Sequence, residues 1–368
     1  MAAHLRVSES GALALVLLAS ALTGACATSG TQSATSSPSG SAAASHAAPT
    51  VSLSSAFGVL AGNWYIEGSR YTVSLVAVDG RVVASATASS PGTFQCPPAG
   101  AAAAVQPPVS TSKTRAYFMD AQGIVRFLAP NGDTGQVAAL PIGAARRSMF
   151  AISPDDQRIA VIVADFTSNG ASTKLYVEDL NGGGNHLDAF SESGIFTLWP
   201  TGWHGSSNLV VAKQTACSGP SCCGPLELHV VDATTAVRRF TIGGPNCGLV
   251  GTPSAAGAVC EDPNYQVATI FDWTASQTGG FPIGGATQAY LSPDGQHVAV
   301  VPIGPNSMTA IYRTNTTLDL QACGWIDNTH VIAGGDAQTK PRVADITNGT
   351  IVTIAADGYC AGRLPGGL

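Results

Sequence analysis

From about Phe57 onward, apolar residues come in short alternating runs separated by Gly, Pro, Asp and Asn, and no stripe of helical period appears. Such a pattern predicts short strands joined by tight turns. The runs also repeat. Ala151–Val161 (AISPDDQRIAV) matches Tyr290–Val300 (YLSPDGQHVAV) position by position. In both, Pro presets φ at the second turn position and the residue after Asp tolerates a left-handed backbone, so a strand enters and another leaves. A second form of this hairpin places Gly202-Trp203 before Leu209–Val211, and Gly324-Trp325 before Val331–Ala333, at equal spacing. A third strand then ends in aliphatic-x-Asp at Asp179, Asp232, Asp272 and Asp345, with Asp79 equivalent and Arg313 replacing Asp once. One aspartate at the same strand end in each unit is the signature of a turn-opening side chain.

Taking Tyr65, Ala116, Ile159, Leu209, Ala258, Val298 and Val331 as second-strand markers gives a mean spacing of about 44 residues. That spacing predicts an all-β fold, a seven-bladed β-propeller of four-stranded blades over residues 57–368. Stacking blades around an axis buries the apolar faces that each exposes alone. The Ser-Pro-Asp-Gly hairpins resemble those of TolB-like and WD-repeat-like bacterial propellers, which also form the propeller half of prolyl oligopeptidases. The resemblance covers most of residues 57–360 and implies a binding or scaffolding platform. The Gly-x-Ser-x-Gly elbow of the peptidases' hydrolase half is missing.

The start of the chain reads as an export signal over residues 1–25. Arg6 precedes the small and apolar run Gly11–Leu22, which is too short to span a bilayer but suits a signal-peptide core. Leu22-Thr23-Gly24-Ala25-Cys26 resembles the lipobox of bacterial lipoproteins, with Thr23 where that family carries an aliphatic residue. The resemblance implies lipidation of Cys26. Ala25-Cys26-Ala27 also fits a small-x-small site with cleavage after Ala27, and that alternative stays open. Residues 26–56 are rich in Ser, Thr and Ala, lack apolar periodicity, and predict a flexible tether. Its uncharged stretch Ala27–Thr50 spans about 25–30 Å on average. The expected location is the extracytoplasmic side of a cell membrane, held by lipid.

Composition narrows the chemistry. Charged residues make up 11% of the chain and the net charge is −6, so no nucleic acid is expected as a partner. Cysteines other than Cys26 are even in number, which in an exported domain favours disulfides over metal sites. Hairpin arithmetic pairs Cys247 with Cys260 across a turn at Pro253-Ser254, and Cys217 with Cys223 across Pro220. Cys323 with Cys360 ties the last blade to the chain's end, and elimination leaves Cys96 with Cys222. No cofactor, metal or catalytic residue is assigned, and the histidines form no ligand or triad spacing. Trp203 and Trp325, equivalent in two repeats, are expected to pack between blades, whereas Trp64, Trp199 and Trp273 are candidates for exposure.

Long connections are expected on one face of the ring, at Phe166–Thr173, Asp188–Pro200, Lys213–Pro225 and Gly334–Lys340, with short turns on the other. Binding residues collect on long loops, so Phe166 and Trp199 are the binding-face candidates. The preferred reading is a monomeric, membrane-anchored binding or scaffold module for an envelope protein or cell-wall ligand. The alternative is a propeller enzyme, lyase, hydrolase or quinoprotein-like, with its site at the central channel. Lipidation predicts that the membrane-extracted protein begins at Cys26 by intact mass and carries diacylglycerol, and that Cys26→Ser releases or misprocesses it. A soluble mature chain beginning at Thr28 would contradict this.

Overall fold

Each Ser-Pro-Asp turn is closed by its own side chains. Ser153 Oγ donates to Asp155 at 2.6 Å and accepts the Arg158 N–H at 2.8 Å. Ser292 repeats this with Asp294 at 2.6 Å and the His297 N–H at 2.9 Å. Asp156 and Gly295 hold the left-handed position, at φ of 60° and 72°. The aspartates at the third-strand ends act in the same way on the hairpin that follows. Asp79, Asp232, Asp272 and Asp345 accept the backbone N–H of Arg81, Thr234, Thr274 and Thr347. They are turn residues.

The computed structural model describes residues 55–368 apart from 97–100, 219–223, 305–306 and 336–338. The export signal, Cys26 and most of the tether lie outside the described residues, as do Cys222 and Cys223. The hairpins assemble into seven four-stranded antiparallel sheets, and the fold is a β-propeller. Blade 3 shows the order from axis to rim: Arg146–Ile152, Arg158–Phe166, Ala171–Asp179 and Leu187–Gly194. Blade 1 departs from it. Its innermost strand is Tyr359–Leu364 from the far end of the chain, paired with Ala56–Gly62, which is followed by Arg70–Val76 and Val82–Ser89. Tyr65 therefore marks no strand. It lies exposed in the loop after Gly62, and the first blade's second strand begins at Ala56.

Each interface between neighbouring blades holds its own apolar cluster. Trp203 is fully buried between blades 3 and 4 and donates Nε1–H to the Ala151 carbonyl at 3.1 Å. Trp325 does the same between blades 6 and 7, reaching the Tyr290 carbonyl at 2.7 Å. A buried indole keeps its burial energy only if its N–H finds an acceptor, and the preceding blade supplies one. Trp273 is buried too, with its N–H on the Ser254 carbonyl, contrary to the expected exposure.

Two of the expected long loops are not long loops, one being strand and the other a tight turn. Asp188–Pro200 is the outer strand of blade 3 and the start of blade 4's innermost strand, Phe196–His204, with Ile195 alone between them. Phe166–Thr173 is a tight turn closed by the Thr167 N–H on the Gly170 carbonyl. The longest connection among the described residues runs instead from Ser90 to Pro108, between blades 1 and 2.

The turn aspartates generate a pH prediction. The backbone N–H groups of Thr234 and Thr235, then the Arg239 guanidinium, pull Asp232 down to about 2 from 3.8. A folded pKa below the unfolded one means that the charge stabilises the fold above about pH 4, and that this contribution is lost as pH falls toward 2. Asp232→Asn should lower the melting temperature at pH 7, and the gap to the parent should shrink on acidification from about pH 4 to 2. Thermal melts across that range check it.

Candidate functional site

The innermost strands surround a central cavity of about 310 Å³. Its wall is mainly apolar and aromatic, with Phe57, Trp199, Trp203, Tyr290 and Trp325 contributed by blades 1, 4, 6 and 7. Arg363, on the closing strand opposite Phe57, is the one charged side chain on the wall among the described residues. Burial lowers its pKa below the ordinary arginine value. Blade 4 bulges between Pro200 and Gly202, which leaves Thr201 as the extra residue. Thr201 and Gln106 are lining residues, and their Oγ1 and Oε1 atoms are buried without a hydrogen-bond partner. Blades 5 and 6 approach closely here because Gly251, at φ +69°, has no Cβ; one would fall 2.0 Å from the Ala289 carbonyl oxygen.

On the short-turn side, the last residues of the sequence cross the channel. The Gly366 N–H donates to the Ser112 carbonyl at 2.6 Å and the Leu368 N–H to the Trp203 carbonyl at 2.7 Å. His204 Nδ1 meets the Leu368 carbonyl at 2.8 Å. On the long-loop side, the connection after blade 1 forms a cap. Ala101–Ala103 pairs with Gln95–Cys96 on one side and with Cys217–Ser218 from blade 4 on the other, in a small three-stranded sheet. Phe94 stacks on Phe166 at 5.7 Å, and Trp199 donates Nε1–H to the Ala104 carbonyl at 2.9 Å. Arg147, buried in blade 3, donates to the Gly92 and Thr93 carbonyls and to Glu67.

The cap corrects both the pairing and the exposure expected from sequence. Cys217 bonds Cys96, with Cα atoms 5.9 Å apart, so neither Cys217–Cys223 nor Cys96–Cys222 forms. The chain after blade 4's second strand crosses to the cap instead of turning back on itself. Cys247 bonds Cys260 and Cys323 bonds Cys360. The first of these is diagonal. Leu249, not Cys247, opposes Cys260, and the turn centres on Ala255-Ala256 because Ser254 opposes Gly257. Phe166 is 4% exposed beneath Phe94 and forms no contact surface. Trp199 is half-buried, shared between the cap and the cavity wall. Arg147, Gln106 and Arg363 had no sequence signal, since each acts through residues distant along the chain.

No protein-family model and no curated protein matches the sequence. Solved structures align at low sequence identity. A chain in the crystal structure of a mitotic checkpoint complex aligns at TM-score 0.33 and 9% identity, covering 68% of this chain and 89% of that one. Prolyl oligopeptidase B from Galerina marginata, as apo protein, aligns at TM-score 0.43 and 10% identity, covering 80% of this chain. The match spans 47% of that peptidase's length, less than half.

Removing the cap disulfide tests the architecture of this mouth. Cys96→Ser/Cys217→Ser should keep the β circular dichroism spectrum while costing about 2–4 kcal/mol of stability. Trp199 emission should shift to the red, and residues 90–108 should become the first protease cleavage site.

Proposed function

We propose that this protein is an exported binding module that engages another envelope protein or a cell-wall ligand through its long-loop face, held at the membrane by lipid on Cys26. A β-propeller with three disulfides among its described residues fits an exported binding or scaffold role. The observation that carries the choice of face is where the exposed large apolar residues fall. Tyr65 and Ile66 in blade 1, Ile195, Phe196 and Leu226 in blade 4, and Ile303 and Met308 in blade 6 are 40–59% exposed on the long-loop face. The short-turn face carries few, Val237 and Ile351 among them. Apolar side chains gathered on one face of a rigid ring supply binding energy without an ordering cost.

The pair Phe196 and Leu226 offers the cleanest test. Phe196→Ser/Leu226→Ser should keep the fold by circular dichroism and reduce partner recovery about tenfold in crosslinking pull-downs from intact cells. Val237→Ser, on the other face, should leave recovery unchanged. Equal recovery from all three proteins would refute the assignment of the face.

A further inference from the structure

We propose that the central cavity is itself a binding site for a small amphipathic carboxylate, its anion on Arg363 and its hydroxyl or amide donor on Gln106 or Thr201. This goes beyond the surface reading and rests on different residues. The first support is the state of Arg363. Its guanidinium has five donor hydrogens, yet it donates to no described residue and lines a largely desolvated wall. The one carboxylate acting on it is that of Asp327. Asp327 is already engaged by the backbone N–H groups of Thr329 and His330, each at 2.8 Å, and by His330 Nδ1 at 2.9 Å. A half-buried cation without a hydrogen-bonded counter-ion costs stability, and a bound anion recovers it.

The second support is independent. Gln106 and Thr201 are among the residues lining the same cavity, and Gln106 Oε1 and Thr201 Oγ1 are buried with no partner, so a small side-chain rotation toward a donor in the cavity would satisfy a group that is otherwise unfavourable. The third is the rest of the wall, which is mainly apolar, with Trp199 and Tyr290 as its partly exposed aromatic residues. A volume of about 310 Å³ lies at the small end of ligand sites and suits a single-ring compound. One guanidinium matches the fork of a carboxylate monoanion; a phosphate dianion would leave a buried negative charge uncompensated.

The experiment uses the disulfide-intact protein and 4-hydroxyphenylacetate, read by tryptophan fluorescence and calorimetry. Two comparators accompany it: 4-hydroxyphenylacetamide, which lacks the charge, and phenylacetate, which lacks the hydroxyl. Saturable binding of the acid, with the amide at least about tenfold weaker, is expected. Arg363→Met should abolish the preference for acid over amide, and Arg363→Lys should restore part of it. Gln106→Leu/Thr201→Val should abolish the preference for the hydroxylated acid over phenylacetate. The acid–amide comparison on the parent protein stands even where a variant fails to fold. Equal binding of acid and amide, or no saturation by about 10 mM acid, overturns the proposal. A hydroxyl preference that survives in the folded Gln106→Leu/Thr201→Val protein overturns the acceptor assignment.

Discussion

Ring closure is the constraint on which everything else depends. Every blade is apolar on both faces, so each is stable only between two neighbours, and an open arc would leave two such faces in water. The strand Tyr359–Leu364 removes both open ends by joining the sheet that begins at Ala56. Leu364 then packs into the cluster between blades 1 and 2, while Cys360 packs into the one between blades 7 and 1. The strand can lie this close because Gly358, at φ +135°, carries no side chain; a Cβ would fall 2.7 Å from the Leu60 backbone. The Cys323–Cys360 bond holds the closing strand to blade 7 covalently. Hydrogen bonding, packing and a disulfide thus converge on one seam.

Closure also determines what lies on the axis. Seven innermost strands cannot meet at a point, and the space left between them is walled by whatever their inner sides present. Here those sides are mostly aromatic, proline and glycine residues, so the cavity is apolar with isolated polar atoms. The closing strand contributes the wall's charged group, Arg363, from the element that completes the ring. Occupation of the cavity and integrity of the seam are therefore energetically linked. A ligand that pairs Arg363 relieves an unfavourable charge on the strand that holds blade 1 together.

The sequence made local features legible and distant ones not. A Ser-Pro-Asp turn is decided within a few residues, so Ser153 and Ser292 announce their hairpins, and the spacing of those hairpins leads to a propeller. Trp203 and Trp325 were legible for the same reason, since repetition places them alike. The cap was not. Cys96 and Cys217 are separated by 121 residues, and no hairpin sum can pair them. Phe166 reads as a loop tip until Phe94, from another blade's connection, lies over it. The outer strand Leu187–Gly194 was missed because an outer strand is mostly exposed, so Ser191-Glu192-Ser193-Gly194 carries no apolar alternation to distinguish it from a loop. Pairing of Cys247 with Cys260 was readable, but its register was not, because the blade 5 hairpin shifts register between Val250 and Ser254.

The two faces differ for a reason built into the turns. Short turns between strands must satisfy backbone N–H groups that leave the ladder, and Asp, Ser and Thr side chains of the turns themselves do so. Asp272 accepts from the N–H groups of Thr274 and Ser276 and from the Thr274 hydroxyl, and Asp345 is engaged in the same manner. The polar groups of that face are spent on the fold, and hydrogen-bonding to a partner there would require breaking a turn. The other face also has short turns closed by aspartates, at Asp120 and Asp262, but it carries the longer connections as well, and the cap shows how these find their contacts across blades. Phe94, Arg147 and the Cys96–Cys217 bond fix that region by packing and covalent linkage rather than by turn chemistry. The exposed apolar residues of blades 1, 4 and 6 lie outside the clusters between blades, so covering them would leave the packing of the ring intact.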